Sequence, residues 1–75
     1  MAEAFILINA ESGFDKNILE QLKAIPSVVE AYIIYGAYDL LCKVKESDLT
    51  MLKDIITERI RKLEYVKNTL TLIIV

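Results

Sequence analysis

Histidine and tryptophan are absent from this 75-residue sequence, and cysteine and proline occur once each. Without histidine, the usual general base of nucleophilic catalysis is missing, and so is the commonest transition-metal ligand. The single thiol, Cys42, cannot close an internal disulfide, which fits a reducing cytoplasm. Two glycines, Gly13 and Gly36, are too few for a loop that cradles phosphate. No basic excess exists either. Nine Lys and Arg against eleven Asp and Glu leave a formal charge of −2, whereas nonspecific nucleic-acid binding needs a positive field. Uninterrupted apolar stretches such as Ala4 to Ile8 fall far short of the roughly 20 residues that cross a bilayer. The start, Met1-Ala2-Glu3, lacks the basic opening of a secretory signal. These absences predict a cytoplasmic chain that is not an enzyme, with no cofactor, no metal, no direct nucleic-acid contact and no membrane contact.

What the sequence does have is apolar material, 55% of its residues. A domain this short buries only about 60% of the surface its unfolded chain exposes, so a monomer is marginal. The surplus predicts a covered surface, most simply a second copy of the same chain.

The hydrophobic pattern falls into six elements. Ala4 to Ala10 reads as a strand buried on both faces, bounded by Glu11-Ser12-Gly13. Phe14, Ile18, Leu22 and Ile25 then recur at helical spacing, with Asp15 placed to cap or complement the N-terminus. Pro26 ends that helix, because the residue before a proline is pushed out of the α region. Strands over Val28 to Tyr35 and Tyr38 to Lys45 flank a Gly36-Ala37 turn and must be antiparallel. Ser47 or Asp48 caps a second helix, with its apolar stripe at Leu49, Leu52, Ile56, Ile60 and Leu63. Val66 to Val75 closes the chain as a fourth strand. The order is βαββαβ in a single domain over residues 1–75. Right-handed crossovers place both helices on one face of an antiparallel sheet, the α+β ferredoxin-like arrangement. Leu40, Cys42 and Val44 should face the helices. The other face then collects Leu41, Thr69, Thr71 and Ile73 with Phe5 and Leu7, an apolar surface expected to form an oligomer interface.

Candidate chemistry is sparse. Cys42, mid-strand and facing the helices, reads as an inert buried thiol. Glu46 and Asp48 read as complements to a helix start, and Arg59, Arg61, Lys62 and Lys67 as a solvated basic face beside a helix end. The third strand lacks the glycine-aromatic pattern by which RNA-recognition motifs stack bases. One constellation stands out: Tyr35 followed by Gly36-Ala37-Tyr38-Asp39. It reads first as a hairpin turn. It also gathers a carboxylate and two phenols beside turn N–H groups, a set that can hold a zwitterion.

Over essentially its whole length the chain resembles the C-terminal effector (RAM) domain of the Lrp/AsnC transcription regulators. The residues that carry the resemblance are Ala4-Phe5-Ile6-Leu7-Ile8-Asn9, the Ile25-Pro26-Ser27-Val28 break, Gly36-Ala37-Tyr38-Asp39-Leu40-Leu41-Cys42-Lys43-Val44, and Asn68-Thr69-Leu70-Thr71-Leu72-Ile73. Only Met1-Ala2-Glu3 precedes the first strand, so the resemblance is to a stand-alone version without the family's helix-turn-helix domain. It implies homodimers packed sheet against sheet, assembling to a higher oligomer such as an octamer. It also implies an amino-acid effector bound between dimers near Gly36, Tyr38 and Asp39, with Tyr35, Ala37 and Thr71 added by proximity. A full-length Lrp/AsnC regulator is the implied partner, and modulation of amino-acid metabolism genes the implied role. Two other readings stay open. One is a purely structural oligomerisation domain. The other is an ACT-like allosteric subunit of a metabolic enzyme, although Glu11-Ser12-Gly13 departs from the glycine-paired turn such domains use.

Overall fold

Alternation writes the first strand. In the computed structural model, which describes all of residues 1–75, β1 (Ala2–Ala10) buries Ala4, Ile6, Ile8 and Ala10 on one side. Phe5, Leu7 and Asn9 on the other side are only half-buried. The expectation of burial on both faces is therefore corrected. The apolar run is continuous because both faces are apolar, but within one chain only one of them is covered.

Helix α1 (Asp15–Lys23) follows a turn in which Phe14 N–H donates to the Glu11 carbonyl at 3.0 Å. Phe14 holds the N-cap position without a side-chain cap, and Asp15 sits inside the first turn, where its charge complements the helix dipole. Ile18 and Leu22 are buried, Ile25 follows them into the core, and the helix stops before Pro26 as its sequence requires. Strands β2 (Val28–Ile33) and β3 (Leu40–Glu46) are shorter at their shared end than the sequence suggests. Ile33 pairs with Leu40, so six residues connect the strands where a two-residue turn was expected. Ile34 N–H closes the connection onto the Asp39 carbonyl at 2.9 Å.

The second helix begins as α2 (Leu49–Ile55), capped by Asp48, whose side chain accepts the Met51 N–H at 2.8 Å. It continues as a π-helical turn over Ile56–Ile60, which ends where Arg61 N–H reaches back to the Ile56 carbonyl at 2.9 Å. Nothing in the hydrophobic pattern announces that turn. It keeps Leu52, Ile56 and Ile60 in the core, while Leu49, expected in the stripe, is exposed. Strand β4 (Val66–Ile73) completes a sheet of order β2-β3-β1-β4, all pairs antiparallel. With two helices in βαββαβ order, the fold is ferredoxin-like.

Pairing register decides which side chains share a face, since directly opposed residues point the same way. Ile6 pairs with Cys42 and Thr71, Ile8 with Leu40 and Thr69, and Ala4 with Val44 and Ile73. Thr69, Thr71 and Ile73 therefore lie on the helix-bearing side, opposite to the face expected for them. The open face instead carries Phe5 and Leu7 from β1, Leu41 from β3, Leu70 and Leu72 from β4, and Tyr32 from β2. Polar pairs frame it: Lys43 Nζ meets Glu3 Oε1 at 3.1 Å, and Asn9 donates to Asn68 at 3.0 Å. Leu70, Leu72 and Tyr32 are exposed there. Only 14 of 75 residues are buried, and large apolar side chains such as Tyr32, Leu70 and Leu72 find no full cover within one copy.

Candidate functional site

The connection Ile34–Asp39 holds most of the candidate ligand-binding residues, and backbone geometry explains its shape. Gly36 has φ +154°, a conformation side-chain-bearing residues rarely adopt, and a Cβ there would meet nothing within 4 Å. Conformation rather than space therefore selects glycine. The chain flares past the Ile33–Leu40 pair. Tyr35 projects wholly into solvent at 106% relative exposure, while Tyr38 and Asp39 fold back to partial burial.

Asp39 is the best-anchored of these residues. Its N–H donates to the Ile8 carbonyl at 2.9 Å, extending the β1–β3 ladder by one step. Its carboxylate turns toward β1, where Oδ2 accepts the Ala10 N–H at 2.8 Å. The Asp39 side chain thus bonds backbone at the end of a neighbouring strand, while its carbonyl closes its own turn. It faces a hollow of about 270 Å³ whose wall also includes Glu11, Ser12, Gly13 and Asp15. Beside that hollow, Glu11 N–H donates to the Tyr65 carbonyl at 2.8 Å, and the Phe14 and Tyr65 rings stack at 3.8 Å.

Gly36, Ala37, Tyr38 and Asp39 come together with Tyr35 because they are consecutive. Thr71 does not join them. It lies mid-strand on β4, one edge of the sheet, whereas the loop leaves β2, the other edge. The other chemical candidates are inert. Cys42 is fully buried, and desolvation pushes its thiol up to about 12. Glu46 accepts a hydrogen bond from Ser27, and no cluster of acids, cysteine or histidine could hold a metal.

Both helices on one face of the sheet, with the other face open and apolar, define a small two-layer α+β domain. The family model of the Lrp/AsnC ligand-binding domain matches residues 3–75. The chain belongs to that family. An uncharacterised HTH-type transcriptional regulator of Pyrococcus furiosus is 34% identical over 73 residues, which cover 93% of this chain and 49% of that protein. The chain thus spans about half the length of the curated regulators it matches. The crystal structure of FFRP-DM1 superposes with a TM-score of 0.96 at 43% identity, covering 100% of both chains. A homocitrate synthase of Sulfurisphaera tokodaii is 40% identical over 70 residues, 92% of this chain but only 15% of that enzyme. The fold alone is shared with a transcriptional regulator of Neisseria meningitidis solved as its L-Met complex, at TM-score 0.86 and 14% identity, covering 99% of this chain and 49% of that one. The chain is accordingly a regulatory effector module of the kind found in transcription regulators.

Proposed function

We propose that this chain binds an amino acid at the Gly36–Asp39 loop and modulates an Lrp/AsnC-type transcription regulator in the cytoplasm, without contacting DNA itself. The observation that carries the reading is the ligand-binding family match over residues 3–75. The loop suits a zwitterion. The Asp39 carboxylate has one oxygen committed to the Ala10 N–H, which leaves its second oxygen to accept an ammonium group. Donors on the flared backbone around Gly36 can meet a carboxylate. The L-Met complex of the Neisseria regulator supports an amino acid as the class of effector. Tyr35, with no cover in one copy, would close the site from above when a neighbouring dimer packs against it. Thr71, on the far edge of its own protomer, could join only from another subunit. Dimerisation would use the open face through Phe5, Leu7, Leu41, Leu70 and Leu72, with dimers assembling further into a ring. The test is calorimetry against the twenty amino acids, repeated with Asp39→Asn. Saturable binding to one or a few of them, weakened in the variant, is expected. No binding at millimolar concentration would leave only the structural oligomerisation role.

A second reading rests on the homocitrate synthase match, in which a stretch like this chain forms a small part of an enzyme. There the module would adjust turnover of an associated enzyme. Effector-dependent change in that turnover, with no change in operator occupancy by a regulator, would favour it.

A further inference from the structure

Beside β4, on the helix-bearing side, two hollows meet at Arg61. One, of about 330 Å³, is walled by Arg61, Lys67, Asn68 and Thr69 around Val66. The other, of about 260 Å³, continues past Arg61 to Thr57, Lys53 and Thr71. No carboxylate lines either one. The molecule's two salt bridges use Lys43 and Lys62, so Lys53, Arg61 and Lys67 are all unpaired. In a chain with eleven acids and nine cations, an acid-free groove holding three free cations calls for a physical reason.

Helix-end complementarity does not supply one. It can account for Arg61, which follows the π-helical turn, and for Lys53 in the last turn of α2, but not for Lys67 on β4 or for the lack of any carboxylate in the lining. The π-helical turn is itself a second pointer, since such turns recur at functional sites and this one ends at Arg61. Lys53, Thr57 and Arg61 are spaced by four and so share one helix face, opposite the hydroxyls of Thr69 and Thr71 on β4.

We propose that this groove binds a compact multivalent oxyanion, a small metabolite bearing phosphate or several carboxylates, between Arg61 and Lys67 with Lys53 at the far end. Arginine offers a planar fork of donors to such groups, lysine a mobile point charge, and the threonine hydroxyls neutral donors. No aromatic ring lines the groove, so there is no platform for a nucleobase. Within one copy the groove borders the sheet edge opposite β2, separate from the Gly36–Asp39 loop, and it does not depend on the amino-acid reading.

The experiment is calorimetry of the whole chain at low salt with pyrophosphate and with citrate, the pair that distinguishes phosphate from carboxylate recognition. Saturable binding of at least one is expected, weakened about tenfold or more in Arg61→Gln/Lys67→Gln, with amino-acid affinity unchanged. Lys23→Gln, remote from the groove, should bind as the unmodified chain does. Should the double variant fold poorly, Lys67→Gln alone, at an exposed position, carries the test. Absence of saturable binding by both anions, or equal affinity in the variant, would overturn the proposal. So would loss of duplex-DNA affinity in the variant with neither small anion binding, which would make the groove a nucleic-acid contact.

Discussion

The Asp39 carboxylate bonds the Ala10 N–H and, in the proposed site, would also hold an ammonium group, and a single substitution can separate the two roles. Asparagine keeps a carbonyl oxygen that can accept the Ala10 N–H but carries no charge for an ammonium group. A charge-assisted hydrogen bond contributes about 1.5–3 kcal/mol, so Asp39→Asn should weaken amino-acid binding by roughly 10–150-fold. Its melting temperature should stay close to that of the unmodified chain. A lowered melting temperature with unchanged affinity would make Asp39 purely structural. Cys42 gives a second residue-scale expectation. With its thiol pushed up to about 12 by burial, almost no thiolate exists at pH 8, and alkylation by iodoacetamide should be negligible until denaturant is added. Rapid labelling of the native chain would contradict that burial. The third concerns Glu3, whose bond to Lys43 holds its carboxyl below the ordinary range. A depressed carboxyl stabilises the fold above its unfolded-state pKa, and that contribution disappears as pH falls through its folded-state value. Glu3→Gln should therefore lower stability slightly at neutral pH and converge with the unmodified chain in acid, which flattens part of the acid limb. An identical acid limb in the variant would remove the pair from any role in stability. At this scale the sequence spoke clearly for Cys42, since an apolar alternation surrounds it. It could not foresee that Asp39 reaches Ala10, a contact made only by tertiary pairing.

Helix starts and strand register show what local pattern can and cannot decide. Asp48 caps α2 as its sequence position implies, and Asp48→Ala should cost about 0.5–2 kcal/mol. For a chain of this size a cost of about 1 kcal/mol lowers the melting temperature by roughly 4–8 °C. A shift below a degree or two would mean that Ser47 or water takes over the cap. The order of elements was legible because period changes and breakers such as Pro26 are local signals. The face of β4 was not. Its Thr-Leu-Thr-Leu alternation suggests leucines turned toward the helices, yet register against β1 turns Leu70 and Leu72 to the open face. The pairing shift between Asn9 and Ala10 offsets the early part of β4, and no feature of the strand's own sequence reports it. The inverted alternation carries information of its own, for it lines the uncovered face with leucine where a solvated sheet would show polar side chains.

For the whole molecule, that uncovered face sets the expected state in solution. Light scattering should give at least a dimer at micromolar concentration. Leu41→Lys or Leu70→Lys, each placing a charge on the open face, should dissociate or precipitate the assembly. Ile73→Lys and Lys53→Ala, on the helix-bearing side, should leave subunit number unchanged. A monodisperse 8.6 kDa species would rule out the sheet-to-sheet dimer. The sheet order also has a temporal side. β1 is made first, yet it lies between β3 and β4 and does not touch β2 in the ladder. Its pairing with β3 joins Ala2 to Glu46, and its pairing with β4 joins Ala4 to Ile73. During synthesis the Phe5-Ile6-Leu7-Ile8 segment therefore waits without a strand partner until more than half of the chain has emerged. Contacts so distant in sequence also slow folding once the chain is free. Of the four strands this apolar one stays unpaired longest in the nascent protein, and in the cell it is the expected binding site for a holding chaperone.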